Sequence, residues 1–548
     1  MQPFHLGEDP LRVADVVDVA RHGRRVELAP EARERILASH ALVQAMLNGD
    51  GQPSPAGGST REPAAPEYGV TSSVRLPSAR MQVERIDAEG KVAYGITTGF
   101  GELARIAIPH AELLDLQRNL VLSHACGMGE PLPDEAVRAL LFLRAASLAR
   151  GLSGVRPELV EAILALLDHD VTPIVPSRGS LGASGDLVPL AHAALVLLGE
   201  GEARVAGVRV SGREALQAAG VEPLVLQPKE GLALINGTQM MSALLALAVA
   251  DGWSLVRNAE IAAAMSLEAL LGSVSPMDAR IHDARPHVGQ GHVAENVRRL
   301  LHESGIVASH AGCHRVQDAY SLRCIPQILG PVRDALAHAE RLLETEFGSA
   351  TDNPLIFADG AKSGGNFHGE NLALLCAYLA PALAEVAAVA ERRVARLVDP
   401  RLSEGLPAFL VEAGGVNSGL MIPQYVAAAL VLENQVIVHP AVAGSLPTSA
   451  NQEDHVSNGA VGAIMLTQIL RNAERVVGIE LVCAAQALDM RKPLTPGVGT
   501  AAALARVREE VAFLARDRVL APDLERAARL VRSGEVVAVA RSALGTMH

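Results

Sequence analysis

From Glu370 to Leu397 the chain carries apolar side chains on several helical faces at once, and Ala136 to Arg150 repeats the pattern. A helix that is apolar all round must be buried by other helices or by another subunit. Hydrophobic residues make up 49% of the 548, yet only 3% are aromatic, so the core is built from Ala, Leu and Val. Alanine and leucine favour helices. The sequence predicts a large, mainly α protein, with a short hairpin over 81–94 as its clearest strand signal.

A different kind of constraint lies in Gly179-Ser180-Leu181-Gly182-Ala183-Ser184-Gly185-Asp186-Leu187-Val188-Pro189-Leu190. If the amide nitrogen of Gly185 closes onto the carbonyl of Ala183 and Ser184 loses water, the product is a five-membered imidazolone with an exocyclic methylidene, an electrophile. Glycine lacks the Cβ that would obstruct the compressed turn, alanine is small, and serine brings a β-hydroxyl that can leave. Asp186 reads as the N-cap of a helix that tolerates Pro189 in its first turn, which would set the ring at a helix N-terminus. Taken alone, Ala-Ser-Gly more often marks a turn feeding a helix. A serine-hydrolase elbow fails because Asp186 stands where its last glycine is required.

The segment from Thr172 to Leu190 closely resembles the signature of the aromatic amino acid ammonia-lyases, the family that includes histidine, phenylalanine and tyrosine ammonia-lyases. Further motifs in the same order extend the resemblance from about Tyr94 to Asp454. It implies an N-terminal α/β-containing region bearing the ring, then a central bundle of long helices in the ammonia-lyase (fumarase/aspartase-like) architecture. The expected divisions are 1–80, with a Pro/Gly/Ser-rich insert at 50–69; 81–220, bearing the ring; and 221–548, the central and C-terminal bundle. The implied cofactor is 4-methylidene-imidazol-5-one (MIO), formed from Ala183, Ser184 and Gly185, with no dissociable cofactor. A homotetramer with active sites shared between subunits is implied as well.

Removing ammonia from an α-amino acid needs an electrophile to improve the leaving group and a positioned base for the β-proton. Within Val92-Ala93-Tyr94-Gly95-Ile96-Thr97-Thr98-Gly99-Phe100-Gly101, the resemblance makes Tyr94 that base. Gln317, Tyr320 and Arg323 are spaced by three, consistent with one helical face. By resemblance Arg323 clamps the substrate carboxylate, while Tyr320 and Gln317 line the site and support proton transfer and ring orientation. Asn236 matches the asparagine that supports the ring and binds the carboxylate; on its own it reads as a cap before Gly237. Phe367 corresponds to the aromatic packed beside the ring.

Ser123-His124 is similar to the pair in histidine-type members, where His124 could hydrogen-bond an imidazole, and Glu433 corresponds to an acidic residue near the substrate side chain. Thr97-Thr98-Gly99-Phe100-Gly101 is similar to the tyrosine branch instead. The expected reaction is elimination of ammonia from L-histidine to give trans-urocanate. A tyrosine or phenylalanine lyase, a 2,3-aminomutase on the same scaffold and a catalytically silent helical assembly are the alternatives.

The formal charge of -13 and pI near 5.8 argue against a nucleic-acid surface. No basic run suggests a membrane patch, and the apolar run from Leu372 to Ala384 is too short to cross a bilayer. Met1 to Glu8 has no secretory pattern, so cytoplasmic residence is expected. Five scattered cysteines without Cys-x-x-Cys spacing read as reduced, mostly buried thiols. His310 and His314, at i, i+4, lack a third ligand, so no metal is expected.

Overall fold

The computed structural model describes residues 1–8, 10–48, 95–99, 101, 103, 106, 108–312 and 315–548. The insert at 50–69, the hairpin expected at 81–94, Tyr94, Cys313 and His314 lie outside these residues. Among the described residues there are twenty α-helices and nine strands of three or four residues.

Helices Gln239–Ala269, Ile325–Phe347, Glu370–Val398 and Gly459–Asp489 form the central bundle. The two of 31 residues are each roughly 46 Å long. Alanine lets these helices approach closely, and at Gly478 even a Cβ would lie 2.8 Å from the backbone nitrogen of Ala528 on helix Ala521–Ser533. Several charges inside the bundle are paired. Arg393 meets Glu480 with both side chains fully buried, and Arg333 Nη1 lies 2.7 Å from Glu260. Burying an ion costs several kcal/mol unless it is matched in this way.

The apolar run around Leu372 extends in the fold to the 29 residues of Glu370–Val398, which is long enough to span a bilayer by length and composition, as are Gln239–Ala269 and Met421–Ala443. The helix covers the stretch from Glu370 to Leu397 expected to be helical, with Pro381 accommodated within it. In Gln239–Ala269 the apolarity serves the core, for 83% of the relevant window is buried. Helix Met421–Ile437 differs: Ile422, Tyr425, Leu432 and Val436 are exposed along it.

The N-terminal part adds small sheets to the same hydrophobic core. Strands Phe4–Leu6 and Val26–Leu28 pair in parallel, and Phe4 packs edge-on against Phe142 at 5.5 Å. Strand Pro176–Arg178 pairs antiparallel with Met128–Pro131 and leads into segment 179–186, which ends at helix Leu187–Leu197. Of the four cysteines among the described residues, Cys376 and Cys483 are buried, Cys324 is half-buried and Cys126 is exposed; all are free thiols. Burial pushes the Cys376 thiol up to about 12.

Candidate active site

Segment 179–186 is held from two sides by the starts of other helices. On one side Gly185 bridges to Gly237, the Asp186 amide donates to the Gly237 carbonyl at 2.6 Å, and Asn236 Nδ2 donates to the Ser184 carbonyl at 2.7 Å. On the other side the Asn458 amide donates to the Leu181 carbonyl at 2.7 Å and Ser457 Oγ to the Gly182 carbonyl at 3.0 Å. Gly369, just before Glu370–Val398, donates its amide to Gly182 at 3.2 Å. Four helices, Leu187–Leu197, Gln239–Ala269, Glu370–Val398 and Gly459–Asp489, therefore begin around Ser184. Their positive ends favour electron withdrawal from whatever occupies that point.

The glycines here are required by contact. At Gly185, φ is +76° and a Cβ would stand 2.1 Å from the Gly237 carbonyl oxygen; at Gly182, φ is +68° and a Cβ would stand 2.4 Å from Ser457 Oγ. This crowded turn fits ring closure of Ala183-Ser184-Gly185, whose Ala183 is 8% exposed. Asn236 Oδ1 is buried without a hydrogen-bond partner.

Asp186 does not cap its own helix. Its carboxylate accepts from Ser180 Oγ at 3.0 Å and from the Met241 amide at 2.9 Å, so it serves the N-terminus of Gln239–Ala269 instead. Its backbone, at φ -95° and ψ 53°, departs from the extended shape usual at an N-cap. Burial pushes its carboxyl up to about 7 despite these hydrogen bonds. Behind Asn236, the fully buried Arg144 donates to the Asn236 carbonyl at 2.8 Å and to Gln239 Oε1 at 2.9 Å. Burial pushes its guanidinium down to about 10. These supports carry no motif of their own, so they were not legible beforehand.

The largest omission from the sequence reading is Glu453. Ser184 Oγ donates to its Oε1 at 2.5 Å, and its carboxylate lies close enough to His124 to act on that ring electrostatically. Its signal in the chain was only the polar run Asn451-Gln452-Glu453-Asp454-His455 before a helix start. His124, the last residue of helix Leu113–His124, directs Nδ1 at the Leu120 carbonyl, 2.8 Å away. A carbonyl only accepts, so Nδ1 carries the proton, and the neutral ring keeps Nε2 as an acceptor. Burial holds the His124 pKa below its ordinary value. Phe367 is half-buried, two residues before Gly369, whose amide donates to the Gly182 carbonyl.

Gln317, Tyr320 and Arg323 are elsewhere in the chain. Asp318 is tied to the Ser273 amide at 2.6 Å, beyond the C-terminal end of Gln239–Ala269, whereas Asp186 binds Met241 at the other end. At about 1.5 Å per residue, that helix sets the two groups roughly 40 Å apart. Only Tyr320 and Arg323 share a helical turn, Tyr320–Arg323; Gln317 precedes it in irregular chain, because Asp318 is drawn away towards Ser273 and Arg315. Tyr320 is 72% exposed, and the Arg323 guanidinium has no hydrogen bond or ion pair among the described residues. Glu433 is exposed on Met421–Ile437, where its Oε1 accepts from Gln468 Nε2 at 2.5 Å. Gln468 stands nine residues, roughly 14 Å, along its helix from Gly459. No group of three His, Cys, Asp or Glu able to hold a metal occurs among the described residues, and His310 is engaged by the carbonyls of Ile306 and Gly272.

A family model described as aromatic amino acid lyase matches residues 63–509. The chain belongs to the aromatic amino acid lyase family. A histidine ammonia-lyase of Symbiobacterium thermophilum is 48% identical over 550 residues, covering 100% of both chains. Among solved structures, histidine ammonia-lyase from Trypanosoma cruzi aligns with a TM-score of 0.84 at 37% identity, over 99% of this chain and 95% of that one. Tyrosine aminomutase from Streptomyces globisporus aligns with a TM-score of 0.87 at 34% identity, over 99% of each. These similarities accord with the mainly helical fold and with the family expected from Thr172 to Leu190.

Proposed function

We propose that this member of the aromatic amino acid lyase family is a carbon–nitrogen lyase that eliminates ammonia from L-histidine to give trans-urocanate. The observation that carries the histidine reading is the pairing of His124 with Glu453 beside Ser184: a neutral imidazole acceptor next to a carboxylate suits a substrate side chain with N–H groups. The identity of 48% to a histidine ammonia-lyase along the full chain supports it.

The reading includes MIO formed from Ala183, Ser184 and Gly185, for which the crowded turn and the unpartnered Asn236 Oδ1 are the support. Such a group supplies an electrophile that captures the substrate amine. The surrounding residues do the rest. Asn236 Nδ2 draws electron density through the Ser184 carbonyl, His124 and Glu453 orient the imidazole, and Phe367 walls the pocket. Tyr94 takes the β-proton, and Arg323 holds the carboxylate with two parallel hydrogen bonds, with Tyr320 and Gln317 beside it.

Because Arg323 and Tyr320 stand roughly 40 Å from Ser184 within one chain, this assignment requires other copies to complete each site. The exposed Val316 and Tyr320, and the apolar face of Met421–Ile437 that also carries Glu433, suit such contacts and support a homotetramer. The substrate is a small amino acid; neither nucleic acid nor membrane has a role in this reading, and cytoplasmic residence is proposed with it.

The test is an ultraviolet assay of purified protein with L-histidine, L-tyrosine and L-phenylalanine in parallel. Urocanate from histidine alone is expected. Coumarate or cinnamate would overturn the substrate assignment, and a β-amino acid product would make the protein an aminomutase.

A further inference from the structure

Glu453 makes a contact that an ammonia-lyase has no use for once its ring exists. Ser184 Oγ donates to Glu453 Oε1 at 2.5 Å, while Oε2 accepts from Thr448 Oγ1 at 2.8 Å. Thr448 and Glu453 also pair through their backbones, with N to O distances of 2.9 and 3.2 Å. Between them Ser449, Ala450 and Asn451 hold φ of 51°, 51° and 73°. Left-handed backbone at non-glycine residues persists only where its surroundings impose it, and it concentrates at functional sites. The strained loop aims one carboxylate at one hydroxyl. In the finished ring that hydroxyl is gone, so the contact belongs to the chain before the ring forms.

We infer that Glu453 is a catalytic residue of the chain's own maturation, the group that passes a proton to the departing Ser184 hydroxyl. This rests on the reading above that Ala183-Ser184-Gly185 becomes the ring. In the first step the Gly185 nitrogen bonds to the Ala183 carbonyl carbon. The old carbonyl oxygen leaves as water, carrying the Gly185 and Ser184 N–H protons, and a C=N bond remains between Ala183 and Ser184. In the second step the Ser184 Cα–H bond breaks and its electron pair forms the Cα=Cβ bond. The Cβ–Oγ bond breaks with its pair on oxygen, and Oγ takes a proton from Glu453 and leaves as water. That proton is the one Glu453, an acceptor at both oxygens beforehand, takes from Cα as the Cα–H bond breaks. Glu453 therefore ends as the carboxylate it began as, two waters leave and nothing is oxidised or reduced.

Two neighbours assist. Asn236 Nδ2 on the Ser184 carbonyl, at 2.7 Å, acidifies the Cα–H that must be lost. Thr448 Oγ1 fixes the carboxylate so that Oε1 alone faces Oγ.

The experiment is intact-mass measurement of the full-length chain, purified and also followed in time after synthesis, for the parent, Glu453→Gln, Glu453→Asp and Ser184→Ala. A chain that has lost both waters is about 36 Da lighter than its sequence mass. The parent is expected at the lighter mass and Ser184→Ala without the ring. Glu453→Gln is expected to lose the waters about 100-fold more slowly, with Glu453→Asp partly restoring the rate and both variants keeping the parent's oligomer size. A Glu453→Gln chain that matures as fast as the parent would overturn the inference and confine Glu453 to turnover. A parent at full sequence mass would overturn the ring reading itself, and this inference with it.

Discussion

Asn236 Nδ2 donates to the Ser184 carbonyl at 2.7 Å while the Oδ1 of the same amide is buried with no partner. An unmet buried acceptor costs about 1–3 kcal/mol, which a substrate donor such as an ammonium would recover on binding. Asn236→Ala is therefore expected to lower kcat by about 100- to 1000-fold. Asn236→Asp, which turns a donor towards Ser184 into an acceptor, should be at least as severe. Steady-state assays of urocanate formation would show it, and a tenfold or smaller loss in both variants would remove Asn236 from the catalytic set.

Burial raises the Asp186 carboxyl from 3.8 to about 7, so the folded chain holds this proton more tightly than the unfolded one. Its contribution to stability is then fully present below about pH 4 and is lost as pH rises through 7, by an amount on the order of a few kcal/mol. Asp186→Asn should flatten this part of the stability profile. Denaturant titrations at intervals from pH 4 to 8 would decide, and an unchanged slope in the variant would count against the assignment.

Gly185 and Gly207 have nearly the same backbone, φ +76° and +79°, but a Cβ at Gly207 meets nothing within 4 Å, whereas one at Gly185 stands 2.1 Å from the Gly237 carbonyl oxygen. Gly207→Ala should cost only the roughly 1–2 kcal/mol of a left-handed alanine. Gly185→Ala should cost clearly more, lower Tm further and abolish activity. Equal Tm losses would show that the turn can relax.

Arg323 and Ser184 stand roughly 40 Å apart in one chain. Arg323→Ala and Ser184→Ala should each be nearly inactive as purified oligomers, Arg323→Ala mainly through a raised KM. Unfolding and refolding the two together should return a measurable fraction of parental activity, because some sites would then draw both intact residues from different copies. No recovery from mixed oligomers of the correct size would remove Arg323 from the site built around Ser184.

Ala183-Ser184-Gly185 is legible as a turn from its residues, and His124, Asn236 and Phe367 only through the family resemblance. The fold brings Ser184, Asn236 and, through Glu453, His124 together, because short segments carry the turn and helix-start chemistry that fixes them. Glu453 was missed because its contact with Ser184 spans 269 positions and depends on a strained loop with no pattern of its own. Asp186 was read as a local cap because only the packed helix Gln239–Ala269 offers it the Met241 amide instead.

By itself, the sequence determined the helical class, through alanine-rich periodicity without aromatics, and the family, through the motif from Thr172 to Leu190 and those that follow it in order. The tertiary structure alone decided which carboxylate meets the Ser184 hydroxyl and which helix starts surround it. It also decided that Arg323 lies a helix length away from Ser184. Hydrogen bonds and charges act over a few ångströms, and only the packing of distant segments sets which groups come that close.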